Sequence, residues 1–388
     1  MVKNTEKLSM TIISELGCEE FCAKEIKERF DIINYKINSS CVSFDSNLTD
    51  LAKICYKSQS AKRILLTLVS GNFDGTLNNL KEKVDSDLPV ELTKEMLSKQ
   101  SVKLICERHG EHEFSSVDAD KIIGFLIEEK ISNESKVDLK NPELYLFLNI
   151  IDNYFVLGID VSGRDLSKRQ YRVFTHPHTI KGTIAFSLLM FSGLKKESRA
   201  SDPFSLSGEI PIEAALYQSE KSVNYFEKNF SFQKMKCFEG INFEKIFDEE
   251  DKCIIPSEAQ QRIFYLDASF KNVSAAKKNA KIAGIDKYLS FSRTDPHAVD
   301  LKLETADIIA TRIIEPSKNI SENAVKKIYA ALFTHMGEVL GNKGTFNCVV
   351  RNPDFVEAET EKYGFKQTKK AQVYQGKQRF FFLQLKKT

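Results

Sequence analysis

Four short stretches hold residue types that could bind or transform a ligand. The first, Asp202-Pro-Phe-Ser-Leu-Ser-Gly208, reads as a strand end and a tight turn, and Glu209-Ile-Pro-Ile-Glu-Ala-Ala-Leu216 opens an apolar helix behind it. Gly208 lacks a side chain and the first helical turn presents unpaired N–H groups, so backbone here can approach a ligand; the same pattern also serves an ordinary strand-to-helix connection. The second is a pair of acids, Asp267 and Asp295, each following a short apolar run, where a carboxylate caps a helix or accepts ligand hydroxyls. The third is Arg312-Ile-Ile-Glu315. Arginine offers five donors and no acceptor, so any amine held here must be accepted by Glu315, unless the two side chains close into a salt bridge. The fourth is the cluster Arg164, Lys168, Arg169, Arg172, His176, His178 and Lys181, with Asp165 as its one acid, which suits either phosphate or a solvated linker.

The scaffold that must position these residues is large. With 388 residues, 42% hydrophobic and 28% charged, the chain can bury ample core in two or three domains. A net charge of +2 excludes a polycation that coats nucleic acid indiscriminately, so an RNA site must come from local clustering. Apolar runs such as Ile184 to Gly193 are too short for a membrane span, and the first residues lack the regions of a signal peptide, so a cytoplasmic protein without membrane contact is expected. Cys18 and Cys22, with three residues between them, form the one close pair among eight cysteines; reduced thiols and no metal site follow.

Periodicity divides the chain. In residues 1–65, a helix over Glu19–Phe30 covers strands at Leu8–Leu16 and Cys41–Phe44, an α+β layer. In residues 66–165, a strand over Ser101–Arg108 turns at His109-Gly-Glu-His112, Ser115, Ser116 and Asp118 cap a helix, and Lys136-Val-Asp-Leu-Lys-Asn-Pro leads into a further strand. Residues 166–180 are the basic linker. From 181 to 388 helix and strand alternate, as a doubly wound parallel sheet requires, closing on strands at Thr345–Val350 and Phe380–Leu385.

Several of these motifs resemble one family. Residues 202–215 are similar to Asp-Pro-Phe-Cys-Gly-Ser-Gly-Thr-Ile-Pro-Ile-Glu-Ala-Ala, motif I of the THUMP-containing RNA methyltransferases that act on guanine N2. Arg108-His-Gly-Glu-His-Glu-Phe-Ser-Ser116, a helix and Val137-Asp-Leu-Lys-Asn-Pro142 resemble the THUMP domain, and Ser162-Gly-Arg-Asp-Leu-Ser-Lys-Arg-Gln-Tyr-Arg172 the link that follows it. Leu16-Gly-Cys-Glu-Glu-Phe21 resembles the opening of the ferredoxin-like domain that precedes THUMP. The resemblance implies an α/β protein: a ferredoxin-like domain (1–65), a THUMP domain (66–165) and a Rossmann-like methyltransferase domain (181–388). It implies S-adenosylmethionine (SAM) as cofactor, met by Asp202, Phe204, Ser207, Gly208, Asp267 and Asp295. It also implies structured RNA, tRNA first of all, held by Arg108, His112, Lys136, Lys168, Arg169 and Arg172.

The chain departs from the family at two places. Ser205, Leu206 and Glu209 replace Cys, Gly and Thr, and Leu206 puts a branched side chain where backbone should approach the methionine part of the cofactor. Arg312-Ile-Ile-Glu315 replaces Asn-Pro-Pro-Tyr, whose Asn and following carbonyl accept the exocyclic amine while the ring stacks on the base. Two functions follow. One is a SAM-dependent guanine-N2 methyltransferase with Arg312 and Glu315 at the catalytic positions; the other is a non-catalytic tRNA-binding homologue.

Overall fold

The structure is a computed structural model that describes residues 7–131, 135–257, 262–294, 306–341 and 343–388. In chain order its elements are β1 (Leu8–Ile13), α1 (Glu19–Phe30), β2 (Tyr35–Asn38), β3 (Cys41–Ser46), α2 (Leu48–Lys57), β4 (Arg63–Asn72), α3 (Leu77–Asp87), α4 (Val90–Leu97), β5 (Ser101–His109), α5 (Ser116–Ile131), β6 (Lys136–Val137), β7 (Leu144–Ile151) and β8 (Tyr154–Asp160). There follow α6 (Gly182–Ser192), β9 (Ala200–Asp202), α7 (Glu209–Gln218), α8 (Phe243–Asp251), β10 (Ile263–Asp267), α9 (Phe270–Ala283), β11 (Leu289–Arg293), β12 (Ile308–Arg312), α10 (Glu322–Val339), β13 (Thr345–Val350), α11 (Pro353–Glu361), β14 (Phe365–Gln375) and β15 (Gln378–Lys387). Two compact units result. One comprises the residues up to Ser14, Glu25–Leu166 and Phe226–Glu250; the other comprises Glu15–Lys24, Ser167–Tyr225 and Asp251–Thr388.

The first unit is built on one eight-stranded sheet in the order β2-β3-β1-β4-β8-β7-β5-β6. The strand, helix, strand, strand, helix order expected for residues 1–65 is present as β1, α1, β2, β3 and α2, and β4, which runs past residue 65, completes a split βαββαβ arrangement. Antiparallel pairing of β4 with β8 carries the sheet on into the strands that hold the THUMP signature, so the two α+β layers share backbone hydrogen bonds. Helix α5 begins as its sequence demands: the Ser115 hydroxyl accepts the Asp118 N–H at 3.2 Å, and the Asp118 carboxylate accepts the Ser115 N–H at 2.8 Å.

The second unit has a seven-stranded sheet in the order β11-β10-β9-β12-β13-β15-β14. Counted along the chain, that is third, second, first, fourth, fifth, seventh, sixth, and all strands run parallel except β15, which is antiparallel to both β13 and its hairpin partner β14. The period of two along each strand separates two cores. Ile308, Ala310, Val349, Phe380 and Phe382 join the apolar cluster of α6 and α7, whereas Ile309, Cys348, Val350, Leu383 and Leu385 join that of α10. Helices α6 and α7 are buried along their whole length, which is why their sequences are apolar all round rather than striped. Among the described residues no helix is long and apolar enough to cross a membrane.

Candidate active site

The strand order of the second sheet reverses between β9 and β12, and in an open α/β sheet a crevice forms above the carboxyl ends of the strands at such a point. A cavity of about 570 Å³ lies there. Phe204 and Leu206 from the turn after β9, Asp267 ending β10, Arg312 ending β12, and Arg351 and Asn352 following β13 contribute to its wall.

The turn after β9 is fixed by backbone and side-chain bonds to its neighbour β10. The Ser205 N–H donates to the Leu266 carbonyl at 3.1 Å, and the Leu206 carbonyl accepts the Tyr265 hydroxyl at 2.7 Å. Two residues take the left-handed conformation, Leu206 at φ +48° and Gly208 at φ +90°. At Gly208 glycine is needed on two counts, because a Cβ there would also sit 3.0 Å from the Cβ of Ala276 on α9. Leu206 takes this conformation while carrying a side chain that lines the cavity. Ser207 does something other than line the cavity: its buried hydroxyl accepts the His176 N–H at 2.9 Å and so ties the linker to the turn.

Two of the three predicted acids are placed by the structure, and Asp295 lies outside the described residues. Asp202 is buried at the end of β9, where its carboxylate accepts the Phe204 N–H at 3.1 Å. Burial, reinforced by the charge of Asp267, pushes its carboxyl up to about 7. Asp267 is the hub: it accepts the N–H of Ser269 at 2.8 Å and of Leu206 at 3.1 Å, and Asn272 Nδ2 bridges both its oxygens at 3.0 and 3.2 Å. The backbone donors cap α9 and lock the turn. The Asn272 amide is the one side-chain donor among them.

Arg312 and Glu315 do not pair with each other. The Arg312 guanidinium donates to the His178 carbonyl and lies 5.3 Å from the centre of the Phe380 ring. Burial and the neighbouring Arg351 lower its pKa. Both Glu315 oxygens accept the Arg351 N–H, at 3.0 and 2.9 Å, and one accepts the Asn352 N–H at 2.7 Å. A salt bridge was the simple expectation for the tetrapeptide. The start of α11, with its row of unpaired N–H groups, attracts the carboxylate instead.

The residues expected to face RNA separate into two groups. Lys136 on β6 and Lys168 are exposed. Arg169 is not: its side chain is 2% exposed, and it donates to the fully buried Glu213 at 2.8 Å, beside the Tyr171 hydroxyl at 2.8 Å on the same carboxylate oxygen. Arg172 pairs with Glu209 at 3.2 Å and donates to the Thr179 hydroxyl at 3.1 Å. Both arginines are therefore counterions of α7, and Arg169, being buried, does not face solvent as a phosphate contact would. His112, half-buried, also has partners within the fold. Its Nδ1 accepts from Arg108 at 2.8 Å, its Nε2 donates to the Asp152 carbonyl at 2.7 Å, and its ring stacks on Phe73, so it and Arg108 hold the turn between β5 and α5. The sequence reading missed Glu213, Asn272 and Arg351. For Glu213 there was a signal, since a charged residue in an apolar helix calls for a counterion.

Comparison with known proteins agrees with this geometry. Residues 169–380 match the family described as RMKL-like, methyltransferase domain, and residues 87–160 match the THUMP domain. The tRNA (guanine(6)-N2)-methyltransferase of Methanocaldococcus jannaschii is 28% identical over 86% of this chain and 85% of its own length. A possible methylase from Clostridium difficile 630 superposes with a TM-score of 0.81 at 20% identity, covering 99% of each chain. SMU.472, described as a putative methyltransferase and solved in complex with S-adenosylhomocysteine (SAH), gives a TM-score of 0.78 at 17% identity, covering 100% of this chain and 99% of that one.

Proposed function

Because the chain belongs to the RMKL-like methyltransferase domain family and carries a THUMP domain, we propose that it binds SAM in the cavity above β9, β10 and β12 and methylates guanine N2 in tRNA. The observation that carries this reading is the Asp267 carboxylate at the strand-order reversal, facing the left-handed turn of residues 205–208. The residues present fit the cofactor: Asp267 accepts ribose hydroxyls once Asn272 yields its two bonds. When bound, SAM supplies an electrophilic methyl group. Leu206 narrows the space for its methionine part. Phe204 and Phe355 offer flat apolar surface for a base, and Lys168 with Lys136 offers charge to the RNA backbone. The names of the relatives support the substrate class.

One observation keeps a second reading, a tRNA-binding protein without methyl transfer, open to test. Orienting an exocyclic amine needs free acceptors, yet the one carboxylate of Arg312-Ile-Ile-Glu315 is spent on the backbone of residues 351 and 352. Calorimetric titration of SAM, followed by mass spectrometry of tRNA incubated with protein and SAM, separates the two. N2-methylguanosine that disappears in Asp267→Ala establishes the enzyme. SAM binding without product establishes the second reading, and no SAM binding removes the cofactor assignment.

A further inference from the structure

The tetrapeptide after β12 replaces a neutral, acceptor-rich motif with a cation, and the structure adds a second cation beside it. The Arg312 and Arg351 guanidinium carbons lie 5.3 and 5.6 Å from the centre of the one Phe380 ring, and both residues line the cavity. Two like charges so placed repel each other, so a neutralising partner is to be sought. Among the described residues neither makes an ion pair, although carboxylates stand near. Glu315 is spent on backbone N–H groups, Asp267 on Leu206, Ser269 and Asn272, and Glu209 on Arg172. Arg351 is exposed, and it already lines the cavity. His176 adds a neutral donor to the wall: its Nδ1 accepts the His178 N–H at 3.2 Å, which leaves the proton of the neutral ring on Nε2.

We propose that Arg312 and Arg351 form a phosphate-binding site at the substrate end of the cavity, taking the phosphate of a nucleotide whose base lies against Phe355 and Ile320. A guanidinium fork matches pairs of oxygens on phosphate, and the contact of both arginines with the Phe380 ring consumes no donor. The base surface and the anion site belong to one cavity, so the ligand is a nucleotide rather than a bare nucleoside. The proposal rests on the cavity being the substrate site, but not on transfer of a methyl group. Either a free nucleotide or a nucleotide within RNA supplies the same chemistry.

The test uses the full chain and compares 5′-GMP with guanosine by calorimetry, and tRNA binding across a salt series, for the unmodified protein and Arg351→Gln. Arg351 is exposed, so this variant should fold, and its melting curve checks that. If free nucleotide is the source, GMP binds about tenfold or more tighter than guanosine, and Arg351→Gln removes the difference while Arg351→Lys restores part of it. If RNA is the source, Arg351→Gln lowers the salt slope for tRNA by about one. Equal binding of GMP and guanosine, or of neither, together with an unchanged slope overturns the proposal. SAM titration of the unmodified protein reports separately on the cofactor reading, so the two can fail independently.

Discussion

Replacing Arg169 with alanine should cost fold stability rather than RNA affinity. In the structure Arg169 and Glu213 are 2% and 0% exposed, and the Arg169 Nε lies 2.8 Å from Glu213 Oε1. Removing the guanidinium leaves a buried carboxylate with the Tyr171 hydroxyl as its remaining partner of those in the triad, and breaking a buried pair from one side costs about 3–5 kcal/mol. At roughly 2–4 °C per kcal/mol for a unit of this size, Arg169→Ala should melt about 6–20 °C lower. Two controls sharpen the expectation. Lys168→Ala, one residue away and exposed, should keep its melting temperature and lower the salt slope of tRNA binding by about one. An apolar triple variant, Arg169→Met with Tyr171→Phe and Glu213→Leu, should recover most of the lost stability, because it leaves no buried charge behind. An Arg169→Ala protein that melts within about 2 °C of the unmodified one while losing tRNA affinity would refute the structural role and return this arginine to the RNA interface.

Gly182→Ala should weaken the same triad, since a Cβ on residue 182 would lie 2.4 Å from Glu213 Oε1 and 2.8 Å from Arg169 Nε; a thermal melt should show a loss of about 1–3 kcal/mol, and an unchanged melt would mean the pair has room to move. Leu206→Gly should change stability by less than about 1 kcal/mol, because relief of the left-handed backbone offsets the freedom glycine adds to the unfolded chain, yet it should tighten SAM binding in calorimetry by opening the cavity. Asp202 holds its proton up to about pH 7 in the fold but only to about pH 3.9 unfolded, so the native state binds the extra proton between those values and stability from this group falls as pH rises through them. Asp202→Asn should therefore flatten that descent, gaining up to about 4 kcal/mol on the unmodified protein between pH 4 and pH 8 in denaturant melts; a gap that does not widen with pH would contradict the raised carboxyl.

Local pattern made most of the fold legible. The helix over Glu19–Phe30 has the bounds its spacing implied, the alternation along Ser101–Arg108 is a strand, and the strand, turn and helix around Gly208 sit where the sheet order reverses. What could not be read were the partners that neutralise charge, because those lie far along the chain. Glu213 is 44 residues from Arg169, and Asp152 is 40 residues from His112. The N–H groups that hold Glu315 are 36 and 37 residues beyond it. A run of basic residues in one dimension looks like a phosphate patch until the counterions are known.

One clue was nevertheless present in the sequence. Helix α7 is apolar along its length except at Glu209 and Glu213, one turn apart, and two carboxylates on a buried helix face need two cations. Arg169 and Arg172, three residues apart in the linker, supply them. The linker thus neutralises the helix behind the cavity, and the phosphate charge expected of it shrinks to Lys168. Replacing Lys168, Arg169 and Arg172 together would then mix unfolding with lost RNA contacts, and Lys168→Ala alone isolates the linker's share of binding. If the Lys168→Ala slope stays that of the unmodified protein, the linker contributes no phosphate contact, and the charge that meets RNA must be sought on residues such as Lys136 and Arg351.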